Sequence, residues 1–223
     1  MIKIAIDGPS GSGKSTLAKT LAKKLGYIYV DTGALYRAVG LHMLKNGIAV
    51  SDTEKVISEL NNVSVKLEHD LNGVQHVLLN GVDVGDTIRT SEVSAAASAV
   101  SAYPKVRAFL LDTQRHIALE NNVVMDGRDI GTVIFPDAQV KIFLTAGNVA
   151  RARRRHKELV EKGENITLEQ VLADMENRDN NDRTRKEAPA VPAEDAVFLD
   201  NSEFTPEETA SAAFEIVKNK LGI

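Results

Sequence analysis

Apolar residues recur along this chain in two rhythms. Ile2, Ile4 and Ile6 form a β-branched run that predicts a buried strand. Four more short apolar runs, at 27–30, 123–125, 140–144 and 197–199, predict further strands. Between them the spacing turns helical. Leu17, Ala18, Leu21, Ala22 and Leu25 mark a helix from about 14 to 24, with Gly26 as its C-cap. Leu35, Val39, Met43 and Leu44 mark a second, with Thr32 as its N-cap. Helices are also predicted at 52–60, at 91–102, from Pro104 to about Glu120, at 168–175, and at 205–221 with Thr205 as cap and Pro206 in the first turn.

One stretch breaks the alternation. Val63, Val65 and Leu67 alternate with polar residues, Asn72-Gly73 signals a hairpin, and Val77 and Leu79 lead to a second Asn80-Gly81. The overall pattern predicts a single α/β domain over 1–223: a three-layer fold on a five-stranded parallel sheet, whose strand order the pattern leaves open. The expected core is 1–60, 104–147 and 190–223. An insertion at about 61–103 is expected to lie over one end of the sheet, and a charged segment occupies about 148–189.

The turn between the first strand and the first helix carries the chemistry. Gly8, Pro9, Ser10, Gly11, Ser12, Gly13, Lys14, Ser15 and Thr16 complete the phosphate-binding loop pattern. Its glycines allow backbone angles that let successive N–H groups face one anion, and the helix N-terminus adds its positive end. Lys14 supplies a mobile charge for the β- and γ-phosphates, and the Ser15 hydroxyl is placed to ligate Mg²⁺.

Composition narrows the class. The 223 residues carry a net charge of −4, which argues against non-specific nucleic-acid binding. A hydrophobic content of 43% supports a core, and the absence of cysteine excludes disulfides and thiolate zinc sites. The opening apolar run is too short for a signal peptide or a membrane span. A soluble, cytoplasmic protein is expected, with no membrane or nucleic-acid partner, acting as a monomer.

Two other stretches hold candidate chemistry. Asp31-Thr32-Gly33, with Arg37 one turn in, is either a second anion site or a solvated arginine on an amphipathic helix. Asp126-Gly127-Arg128-Asp129 follows a buried strand, where parallel sheets put ligands. Residues 151–185 contain seven arginines, and Arg178, Asp182 and Arg185 share one helical face. That spacing fits surface ion pairs, or a mobile arm that closes over phosphates. No Asn-Lys-x-Asp guanine motif is present, and an ATP-driven motor would be larger and more basic. A small-molecule kinase needs an acceptor site and a lid, and this chain has candidates for both.

At this point the residues resemble bacterial cytidylate kinases, of the P-loop nucleoside monophosphate kinase family. The resemblance rests on the phosphate loop, Asp31-Thr-Gly-Ala-Leu-Tyr-Arg37, Ile88-Arg-Thr-x-Glu-Val93, Pro104-x-Val-Arg107, Asp126-Gly-Arg-Asp-Ile-Gly-Thr132 and Arg178-Asp-x-x-Asp-Arg-x-Arg185, and it spans the chain. It implies transfer of the γ-phosphoryl of ATP to CMP or dCMP. It further implies that Thr32, Arg37 and Arg128 hold the acceptor phosphate, that Ser98, Arg107 and Asp129 read the cytosine edge, and that Arg178 and Asp182 hold the ribose. Lys14, Arg128, Arg154 and Arg185 would act on the phosphates in flight, the insertion would bind the monophosphate, and the arginine segment would form a lid. Some relatives carry glycine where this chain has Ser15, so whether Ser15 or Thr16 meets the metal stays open. A carboxylate beside an arginine complements the amino donor and the acceptors of cytosine, whereas uracil would turn a carbonyl toward the carboxylate.

Overall fold

A computed structural model describes residues 1–70 and 73–223. In chain order the elements are β1 (Lys3–Asp7), α1 (Lys14–Leu25), β2 (Ile28–Asp31), α2 (Thr32–Lys45), α3 (Thr53–Glu59), β3 (Val65–His69), β4 (Gln75–Leu79), β5 (Val82–Asp83), α4 (Ser91–Val100), α5 (Pro104–Glu120), β6 (Val123–Gly127), β7 (Val140–Thr145), α6 (Asn148–Glu161), α7 (Leu168–Thr184), β8 (Val197–Asp200) and α8 (Pro206–Leu221). Five strands form one parallel sheet in the order β2-β6-β1-β7-β8.

The two-residue period of β1 divides its neighbours between two layers. Ile4 and Ile6 pack with Leu17 and Leu21 of α1 and with Ala213 and Val217 of α8. Ala5 faces the other way, into a cluster with Val30, Met125, Ala118 of α5, and Ile130 and Ile134. Both sheet faces are thus covered, which a parallel sheet requires. Every strand runs the same way, so their carboxyl ends open on one edge.

The antiparallel excursion is the ribbon β3-β4-β5. Asn80 (φ 50°) and Gly81 (φ 82°) both take the left-handed conformation that a tight hairpin needs. Asn72, from the other expected turn, lies outside the described residues. The ribbon docks on the edge strand through side chains: Gln75 Oε1 accepts the Asp31 amide at 2.8 Å, and His69 Nε2 lies 2.9 Å from the Tyr29 carbonyl. Its Val65, Val77 and Leu79 share a core with Leu35, Val39 and Met43 of α2, Val56 of α3 and Val93 of α4. The sequence boundary near residue 61 is therefore not a packing boundary. Gly40 sits where α2 crosses α4, and a Cβ there would lie 2.9 Å from the Ala97 amide nitrogen.

Two local expectations change. Asp31, not Thr32, caps α2, its carboxylate accepting the Ala34 amide at 3.0 Å. Thr32 is the first helical residue. The arginine-rich segment is a packed helix pair with its own small core of Ala152, Leu159, Val171 and Met175. Arg151 ties this pair down, donating to the Ser10 carbonyl at 2.8 Å and pairing with Asp179, which accepts the Ser10 amide at 3.0 Å.

Candidate active site

The phosphate loop bridges the end of β1 and the start of α1. Gly8 lies at φ 149°, and a Cβ there would fall 2.0 Å from the Leu144 carbonyl oxygen, so only glycine lets the loop lie against β7. Gly13 takes a left-handed conformation and is the N-cap of α1. Lys14 is buried, and its Nζ donates to the Pro9 carbonyl at 2.6 Å. Burial, and then repulsion from Arg128, hold its ammonium well below the usual lysine range. The Ser15 hydroxyl donates to Asp126 Oδ2 at 2.9 Å, while Thr16 is exposed.

A cleft of about 360 Å³ runs from this loop to α4 and α7. It brings together Lys14, Thr32, Arg37, Ser98, Arg107, Arg128, Asp129, Arg178, Asp182 and Arg185. Arg37 donates to Asp31 Oδ2 at 2.7 Å, and its Nε is buried with no hydrogen-bond partner among the described residues. Thr32 gives its hydroxyl proton to the Asp126 carbonyl at 2.9 Å. Arg128 Nε donates to Asp182 Oδ2 at 3.0 Å. Burial, followed by Arg128, lowers Arg178 to about 10, which leaves it cationic at neutral pH. Its Nε likewise has no hydrogen-bond partner among the described residues. Half-buried cations repelling one another across a cleft, with donors to spare, form a cradle for anionic oxygens.

The far wall is built on Asp129. Arg107 binds Asp129 Oδ2, and Arg185 reaches Oδ1 at 3.4 Å. Arg185 also donates to the Ser101 hydroxyl at 3.1 Å and lies 3.6 Å from Asp182. The Tyr36 ring centroid lies 5.5 Å from the Arg107 guanidinium, within cation–π reach. Ser98 lines the same wall from α4.

Arg154 is the candidate that the structure directs elsewhere. Its guanidinium donates to the Asn201 carbonyl at 2.8 Å and to the Asn201 side chain at 3.2 Å. Asn201 in turn binds the Ser12 carbonyl at 3.0 Å. The next residue, Arg155, lines the cleft instead. Helix phase decides between two adjacent arginines, and the run of arginines hides that phase.

Sequence reasoning singled out none of Asp7, Asp31, Arg89 or Arg155 as a site residue. Asp7 accepts the Ile130 amide and the Gly131 amide, each at 2.8 Å, and so shapes the turn after β6. Arg89 reaches Asp31 at 3.5 Å beside Arg37. The signal for Asp7 and Asp31 was position alone, an aspartate ending a strand; Arg89 lay inside a quoted block, and Arg155 in the run of arginines.

A phosphate loop at the carboxyl edge of a parallel sheet, with a second cationic array on the same cleft, defines a P-loop nucleotide-binding protein. The sequence model of the cytidylate kinase family matches residues 4–219, and the chain belongs to that family. It is 47% identical over 221 residues to a cytidylate kinase of Caldicellulosiruptor saccharolyticus, covering 99% of this chain and 97% of the relative. It is 47% identical over 222 residues to that of Caldanaerobacter subterraneus subsp. tengcongensis, covering 99% and 97%. Among solved structures, an uncharacterized protein from Eubacterium ventriosum shares the fold alone, with 13% identity, 100% coverage of both chains and a TM-score of 0.52.

Proposed function

We propose that this chain transfers the γ-phosphoryl group of ATP to CMP or dCMP, giving ADP and CDP or dCDP. The observation that carries this reading is that one cleft joins the phosphate loop to a wall where Asp129 stands between Arg107 and Arg185. In this reading the loop 8–16 holds the ATP phosphates. Arg37 and Arg128 take the acceptor phosphate, with Thr32 shaping the floor, and Arg178 and Asp182 hold the ribose. Ser98, Arg107 and Asp129 read the cytosine edge. Lys14, Arg128, Arg155 and Arg185 neutralise the oxygens between donor and acceptor, with Arg155 rather than Arg154 facing the cleft. The unit at about 61–103 serves the acceptor, and the helix pair within about 148–189 serves as lid.

Phosphoryl transfer asks for positioning and charge neutralisation rather than a strong base. The half-buried guanidinium groups are partly shielded from solvent, so each acts through a dielectric lower than that of bulk water. Mg²⁺ fits the donor set: the Ser15 hydroxyl and Asp126 offer hard oxygens, and Asp126 Oδ1 is buried with no partner among the described residues. Bound there, the cation supplies neutralisation of phosphate charge. No helix among the described residues is long and apolar enough to cross a membrane. A cytoplasmic monomer completes the reading.

The test is a panel of acceptors. ADP release with ATP and Mg²⁺ is measured against CMP, dCMP, UMP, AMP and GMP. Turnover concentrated on CMP and dCMP is expected, and equal rates on AMP, GMP and CMP would refute the base-reading assignment.

A further inference from the structure

Helices α4 and α7 face each other across a cavity of about 570 Å³. The α4 side offers only small residues, among them Ala95 and Ala99, opposite Val171 and Met175. Loose packing of this kind does little to fix the angle between two helices. Polar ties fix it instead, one at each end of α4. At the C-terminal end Arg185 donates to the Ser101 hydroxyl at 3.1 Å. At the N-terminal end Glu164, in the turn between α6 and α7, accepts the Ser91 hydroxyl at 2.6 Å and the Ser91 amide at 3.4 Å. The carboxylate thus sits at the positive end of α4, where a negative charge is favoured.

Both sides of this cavity carry residues of the proposed site: Ser98 on α4, Arg178 on α7, Arg155 on α6. Arg185 takes part in the chemistry; Glu164 is remote from it. We propose that Glu164 is a positioning residue for the reaction: its tie to Ser91 locks the arginine-bearing helix pair onto the acceptor wall. The inference rests on the proposed function for its kinetic consequence, and on the Ser91–Glu164 geometry for its structural one. Without the tie, α6 and α7 spend more time away from α4, so the arginines arrive less often over the acceptor.

The test compares wild type with Glu164→Ala, Glu164→Gln, Ser91→Ala and the double Glu164→Ala/Ser91→Ala variant. Glu164→Ala is expected to lower kcat/KM for CMP about tenfold, the loss of one hydrogen bond to a charged group. The Kd for ATP alone is expected to stay unchanged. Glu164→Gln recovers part of the loss, since it keeps an acceptor. Ser91→Ala reproduces it, and the double variant is no worse than either single one, as a shared interaction requires. A residue needed only for folding would instead weaken ATP binding in step. Hydrogen exchange of α7 is read in the same proteins, and faster exchange in Glu164→Ala supports the tie whatever the acceptor. A wild type that ignores CMP overturns the proposed function. Unchanged exchange, an unchanged kcat/KM for CMP, a parallel loss of ATP affinity, or single losses that multiply in the double variant overturn the role of Glu164.

Discussion

Asp31 and Asp126 stand opposite each other, in register, at the carboxyl ends of the neighbouring strands β2 and β6, and both are buried. Burial, and then repulsion from Asp31, raise the Asp126 carboxyl to about 6. Burial would raise Asp31 as well, but Arg37, Arg89 and the Ala34 amide together hold it below the ordinary carboxylate range. One pair of like groups is thereby split into a fixed anion, which anchors the acceptor arginines, and a carboxyl that titrates near neutrality beside Ser15.

This split predicts an unusual dependence of stability on pH. Asp7, on the next strand, is also raised to about 6, because burial outweighs the amides of Gly131 and Ile130. Both groups bind a proton more tightly folded than unfolded, where they titrate near 3.8. Stability they contribute at low pH is therefore lost as pH rises from about 4 to about 6, by roughly 2–3 kcal/mol per group at most. Asp31 has the opposite sign, and its contribution fades only as pH falls below the ordinary value. Urea denaturation without Mg²⁺ between pH 4.5 and 7.5 should show a falling curve that levels off. Asp126→Asn should remove about half of the fall and leave the share of Asp7. Asp31→Asn keeps the helix cap and should move the slope to lower pH. A wild-type curve that rises across this window contradicts the assignment.

Lys14→Ala should reduce kcat on the order of 10²- to 10³-fold, with a much smaller change in the KM for CMP. The ammonium is desolvated and held inside the loop by the Pro9 carbonyl, so its charge matters most as phosphate charge moves. Steady-state kinetics at saturating ATP checks this, and an unchanged kcat removes Lys14 from the chemistry.

Asp129→Ala should relax base selectivity and weaken CMP binding. It strips the carboxylate from Arg107, which keeps only the Ser101 carbonyl at 3.3 Å, and one partner from Arg185, leaving half-buried cations whose repulsion is less fully answered. The ratio of kcat/KM for CMP over UMP should fall by about tenfold or more, since an unpaired buried group is what makes the wrong base costly. A protein that keeps its cytosine preference shows that the base is read elsewhere.

Arg185→Ala should cost on the order of 10³ in kcat if it acts as other transition-state arginines do. Its ties to Asp129 and Ser101 predict a second effect, a raised KM for CMP, which a purely catalytic arginine would not give. Rates over a range of CMP concentrations separate the two.

Gly8→Ala should lower Tm and abolish tight ATP binding together, because the Leu144 carbonyl occupies the space of the new methyl. Gly163→Ala is the matched control. It also has positive φ, at 83°, but meets nothing within 4 Å, so only backbone strain of about 1 kcal/mol applies. Equal losses of ATP binding in the two variants would refute the close approach to β7.

The sequence alone determined the kind of layer each segment joins, because strand and helix periods are local and the apolar residues keep to them. It placed all five sheet strands, the glycine loop and the antiparallel ribbon, and it identified Arg37, Arg107, Arg128, Asp129, Arg178, Asp182 and Arg185, all of which line one cleft. It could not order the strands, since crossover connections leave no local mark. Tertiary structure alone brought Asp31 beside Asp126, turned Arg155 rather than Arg154 into the cleft, and tied the helix pair that carries the arginines to Ser10 and Ser91. Those outcomes depend on how whole elements pack, and a one-residue change of helix phase or one strand exchanged in the sheet would reverse them.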